Sequence, residues 1–116
     1  MKRTVASVFF ALLAMPFTVT ALAADGAAIY KAKCTPCHGS DGQGTAMGPA
    51  FKDSQFIKTG TEAEIGEVIT KGREGAAKKY KQFALGMPKQ TMTEDEVKAV
   101  VAHLKTLAAK GKAETK

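Results

Sequence analysis

Cys34-Thr35-Pro36-Cys37-His38 contains both cysteines of the 116-residue chain and one of its two histidines. C-x-x-C-H is the pattern of covalent haem attachment. Two thiols three residues apart can each add to one vinyl group of the same haem. The adjacent imidazole then supplies an axial ligand to the iron. The competing chemistry for C-x-x-C is a redox-active dithiol, which opens a helix directly after a strand. Here the order is reversed, because an Ala/Lys-rich helical stretch precedes the cysteines and a Gly-rich loop follows them. A structural zinc site wants four Cys or His ligands, and C-x-x-C alone lacks them.

The sequence before the motif has a separate logic. Met1-Lys2-Arg3 is basic, residues 5–19 are almost wholly apolar, and Ala21-Leu22-Ala23 offers small residues at the positions a signal peptidase reads. Residues 1–23 are therefore expected to be a cleaved signal peptide. Its rival is an uncleaved anchor, since the apolar run is just long enough to span a bilayer. Residues 24–116 form the single expected domain. Losing Lys2 and Arg3 leaves 15 basic and 11 acidic residues, a formal charge of +4. Five aromatics remain (Tyr30, Phe51, Phe56, Tyr80 and Phe83) and there is no Trp. That is a thin core for a short chain, and a large apolar cofactor would complete it.

With 45% hydrophobic and 24% charged residues the chain is neither disordered nor multidomain. Three helical stretches are expected, so the fold class is all-α. The first covers Gly26–Lys33 behind Asp25 as N-cap. The second begins at Thr61 with Glu64 three residues on, which is a capping box. It carries Ile65, Val68 and Ile69 on one face and stops at Gly72. The third opens with a second capping box, Thr93 and Glu96, stapled by Met92 and Val97. Its apolar face is Val97, Val100, Val101, Leu104, Leu107 and Ala108. Residues 39–49, with four glycines and a proline, read as loop.

A sixth iron ligand must come from Met47, Met87, Met92 or His103. Met92 serves the helix staple. Met47 lies in the Gly-rich loop nine residues after His38, on the side that holds the histidine. Met87 sits in Leu85-Gly86-Met87-Pro88, where Gly86 allows close backbone approach and Pro88 stiffens the loop. Met87 is the expected ligand, against the alternative that each Met is core filler.

These residues together resemble a small monohaem class I cytochrome c. The likeness rests on Gly26, Tyr30, Cys34 to Gly39, Asp41-Gly42-Gln43-Gly44, Gly48-Pro49, Gly86-Met87-Pro88 and the closing helix over 93–107. It implies the cytochrome c fold, with about three helices packed around one covalently bound haem c. It implies that the first and last helices cross at Gly26, and that the carbonyl of Pro49 accepts a hydrogen bond from His38. One departure is His103, which stands where the family usually carries an aromatic. It is expected to pack against the first helix, the alternative being iron ligation in a misfolded or alkaline state. Residues 73–85 match no family pattern.

Cys34 and Cys37 as haem anchors with His38 and Met87 as axial ligands imply a non-enzymatic electron carrier of the periplasm. Its expected partners are larger redox proteins, met by a monomer without a stable membrane anchor. Between 71 and 89 stand Lys71, Arg73, Lys78, Lys79, Lys81 and Lys89 against Glu74 alone, a block suited to an acidic docking partner. The alternative is a solvated loop. Nucleic-acid binding does not suit an exported chain with few aromatics. Two other functions stay open: a haem enzyme or gas or peroxide sensor with a labile sixth ligand, and an electron-transfer subunit of an oxidase or dehydrogenase complex.

Overall fold

The computed structural model describes residues 24–110 together with Ala14 and Pro16. The expected leader otherwise lies outside the described residues. Among those described there are five α-helices, one short 3-10 turn and no strand beyond isolated bridges. The helices are α1 (Gly26–Lys33), α2 (Thr35–His38), α3 (Gln55–Thr59), α4 (Glu62–Lys71) and α5 (Glu94–Ala109), with the 3-10 turn at Gly75–Ala77. The three stretches expected from the sequence are α1, α4 and α5. The two additional helices, α2 and α3, are of four and five residues. An apolar period cannot establish itself over so few positions.

Local chemistry fixes each start. The Asp25 carboxylate accepts from the amides of Ala27 and Ala28 at 3.1 and 3.2 Å. Ser54 caps α3, and complete capping boxes open α4 and α5. Each such cap contributes about 1 kcal/mol by satisfying amides that have no partner within the helix. At the far end of α3, the Lys105 ammonium donates to the carbonyls of Ile57 and Gly60 at 3.1 and 2.7 Å. Cationic donors suit the negative end of a helix.

The long helix α5 is the hub and packs on α1, α3 and α4. The core comprises Tyr30 from α1, Ile57 from α3, Ile65 and Ile69 from α4, and Val100, Val101, Leu104, Leu107 and Ala108 from α5. Gly26 lets α1 and α5 meet, as the resemblance implied. A Cβ there would lie 2.1 Å from the carbonyl oxygen of Ala99. Met92 and Val97, the staple residues, are partly buried against this core. Among the described residues no helix is long and apolar enough to cross a membrane.

Candidate cofactor site

Cys34, Cys37 and His38 share one turn of chain. Cys34 closes α1, its amide donating to the Tyr30 carbonyl, and opens α2. Pro36 fits in the first turn of α2, where a missing amide proton costs nothing. Gly39, at φ 83°, ends α2 in a conformation that favours glycine. The Tyr30 hydroxyl donates to the Gly39 carbonyl at 2.6 Å and ties this turn to the core.

The His38 ring is held on several sides. Its Nδ1 lies 2.9 Å from the Pro49 carbonyl oxygen. A carbonyl only accepts, so Nδ1 is the nitrogen that bears hydrogen. In the neutral ring Nε2 then carries the lone pair, and it has no hydrogen-bond partner among the described residues. Burial lowers the pKa of the imidazole and favours that neutral form, while the bond to Pro49 pulls the other way. Phe51 stacks on the ring, with centroids 4.2 Å apart and planes 24° from parallel. Gly48 passes so close that a Cβ would stand 2.8 Å from the Cys37 carbonyl oxygen and 3.2 Å from His38 Cε1.

His38 borders a cleft of about 330 Å³ that also takes in Cys34, Cys37, Met47 and Met87, with apolar walls from residues such as Ile65 and Leu104. Both cysteines are free thiols. Burial pushes the Cys34 thiol up to about 11, against a smaller lowering by Lys33. A redox-active dithiol needs an easily ionised thiol, so this environment disfavours that chemistry. Met87 reaches the cleft through backbone rather than helix. Arg73 and Met87 exchange two amide-to-carbonyl bonds, of 2.8 and 3.1 Å. Gly86 makes room for this bridge, since a Cβ there would meet the Arg73 carbonyl oxygen at 2.5 Å.

The other three ligand candidates fare differently. Met47 borders the cleft but is 49% exposed, whereas Met87 packs partly against the core. Met92 also packs on the core and does not border the cleft. The His103 ring lies against Tyr30 of α1, centroids 5.1 Å apart, in the packing role expected for it. Phe51 and the Arg73–Met87 bridge were not foreseen. Phe51 is a lone aromatic in a loop, and a bridge between positions 14 apart leaves no periodic trace. Two thiols, one unprotonated imidazole nitrogen and a thioether around one largely apolar cleft form a donor set that fits a covalently held haem.

The family model described as Cytochrome c matches residues 23–108. The chain belongs to the cytochrome c family. It is 31% identical over 87 residues to the cbb3-type cytochrome c oxidase subunit FixP of Bradyrhizobium diazoefficiens. That match covers 73% of this chain and 30% of the relative, so the chain spans under a third of the relative's length. Family membership makes the C-x-x-C-H segment of this cytochrome c a c-type haem motif and its general role haem-based electron transfer.

Proposed function

We propose that this cytochrome c is a one-electron carrier of the periplasm, exported behind residues 1–23 and working between larger redox proteins. The observation that carries the reading is the His38 ring, whose Nδ1 is committed to Pro49 while Nε2 is left for iron beside Cys34, Cys37 and Met87. In this reading one haem is anchored by Cys34 and Cys37, with His38 and Met87 as axial ligands. Bound haem supplies the Fe(II)/Fe(III) couple. The protein's part is to fix both axial donors, so that neither changes when the electron comes or goes. Burial excludes water, and thioether ligation favours the reduced form. With both axial positions filled there is no place for a substrate, which supports a carrier over an enzyme or gas sensor. The basic 71–89 segment would steer acidic partners toward the cleft.

The test is the visible spectrum of the exported protein, oxidised and then reduced. The expected result is c-type haem bands together with the weak red band of Met sulfur on ferric iron. A high-spin spectrum without the Met band would overturn the carrier reading in favour of an open, ligand-binding iron. Absence of haem after expression with attachment machinery would overturn the site itself.

A second reading is supported by the likeness to an oxidase subunit: this chain passes electrons as part of a complex rather than alone. Purification from the native host separates the two, since a free carrier elutes at the size of a single small chain.

A further inference from the structure

The two lysines of α5 stand in different surroundings. Lys98 is exposed, whereas Lys105 is half-buried. The Lys105 ammonium donates to the carbonyls of Ile57 and Gly60 at 3.1 and 2.7 Å. Both acceptors are neutral. Among the described residues the ion pairs are Lys58 with Asp53 and Lys71 with Glu67, so Lys105 has no carboxylate within ion-pair distance. The carbonyls therefore hold its charge without cancelling it. What lies beside that charge gives it a consequence. Ile57, whose carbonyl is one acceptor, is 4% exposed and borders the cleft. Gly60, the other acceptor, packs on Ile65, since a Cβ there would stand 3.2 Å from Ile65 Cγ1. Ile65 is 1% exposed and borders the cleft too, as does Leu104, the residue before Lys105. Lys105 itself does not border it. A layer of buried apolar side chains thus stands between the ammonium and the cleft. A field crossing such a layer is weakened far less than one crossing water.

We infer that Lys105 sets the potential of the cofactor, as a fixed cation behind the apolar wall of the cleft that favours the reduced state. The inference rests on the haem assignment above. Ferric haem carries one more positive charge than ferrous haem, so a neighbouring cation opposes oxidation. The two carbonyl bonds tether the ammonium at the wall, where an untethered lysine would extend its head into water. Lys105 touches neither the cofactor nor the proposed ligands and acts through its field alone. The same contacts close the end of α3, so one side chain would serve both the fold and the redox equilibrium.

The experiment measures the midpoint potential of the haem-loaded, exported protein, at low and high salt, for Lys105→Met, Lys105→Gln, Lys105→Arg and Lys98→Gln. Lys105→Met removes the charge and both bonds. Lys105→Gln removes the charge and keeps an N–H donor for the carbonyls. Both are expected to shift the electron-binding equilibrium about three- to tenfold toward the ferric form. The shift should persist at high salt, because ions in solution screen a half-buried charge poorly. Lys105→Arg keeps the charge and is expected to stay near the wild type. Lys98→Gln, an equal loss of charge from an exposed place, should shift the equilibrium less and lose that shift as salt is added. A purely structural tie predicts another order, with Lys105→Gln between the wild type and Lys105→Met and each shift following the loss of stability in urea. That order, or a Lys105→Gln shift no larger than that of Lys98→Gln, overturns the inference and leaves the haem assignment standing. Failure of both neutral variants to take up haem also overturns it, since the task of the residue is then to hold the fold. Missing haem bands in the wild type overturn the assignment instead.

Discussion

In the proposed site His38 would be prepared for iron by what its other nitrogen does. The bond from Nδ1 to Pro49 sets the tautomer, and Phe51 and Gly48 restrict the ring's rotation. The position of Met87, the proposed second ligand, is held by backbone through the Arg73 bridge, so shortening its side chain should leave the loop in place. Met87→Ala is expected to retain the covalent haem bands and lose the Met-to-iron band. The potential should fall, because a ligand that favours ferrous iron is gone; an unchanged red band would show that Met47 or another group is the ligand. Tyr30 makes a second test at the level of one side chain. Burial raises its phenol from 10.0 to about 12. A group whose folded pKa is raised contributes fully below its unfolded value and loses that contribution as pH climbs through the folded one. At neutral pH Tyr30→Phe is expected to cost about 1–2 kcal/mol, from the lost bond to the Gly39 carbonyl. Between pH 10 and about 12 the wild type should lose more stability than the variant, so the gap between the two narrows. Urea unfolding across that window checks the sign, and a gap that widens overturns the assignment of this burial effect to Tyr30.

The helices explain why much of the fold can be read from the sequence and some of the site cannot. Capping boxes at Thr61 and Thr93 mark α4 and α5 because the signal is local, a hydroxyl and a carboxylate three residues apart. Asp25 marks α1 in the same way. The C-x-x-C-H spacing is equally local, so Cys34, Cys37 and His38 are legible at once. The Pro49 carbonyl and the Gly26 crossing were accessible only through family resemblance, since no local rule pairs positions 11 or more apart. The Arg73–Met87 bridge escaped both routes, because residues 73–85 follow neither a period nor a family pattern. The crossing itself is open to test. Alanine normally favours a helix over glycine by about 1 kcal/mol. At Gly26 the added methyl would meet the Ala99 carbonyl oxygen, and backbone cannot rotate away. Gly26→Ala is therefore expected to destabilise the haem-loaded protein by about 1–3 kcal/mol, the usual cost of overpacking. Adding Ala99→Gly should not rescue it, because the clash is with the peptide oxygen and not with the alanine methyl. Rescue in a double-variant denaturation curve would move the contact from backbone to side chain.

Around the cleft, packing and charge act together. Walls from α4, α5 and the 72–90 segment face a space of about 330 Å³, so the core residues border a gap that a ligand would fill. The chain with Cys34 and Cys37 both changed to Ala, produced without haem, is expected to unfold broadly in urea and to exchange the amides of α4 and of residues 72–90 rapidly; a sharp, haem-independent transition would show that the helices alone hold the fold. The last consequence concerns partners. Lys81 and Lys89 are exposed and lie outside the cleft, so their charge is available to steer encounter. Steering by exposed charge fades once salt shortens the Debye length to about 10 Å at 0.1 M. Electron transfer with an acidic redox protein should therefore slow as salt is added, and transfer with a basic one should quicken. Lys81→Gln and Lys89→Gln should each lower the low-salt rate with the acidic partner. Lys31→Gln, an equal loss of charge on the exposed face of α1, should lower it less. Stopped-flow rates at several salt concentrations decide the matter. If all three variants fall on one line set by net charge alone, the attraction is diffuse and the 71–89 segment is not the docking face. If Lys31→Gln stays near the wild type while the other two converge with it only at high salt, the approach is through that segment.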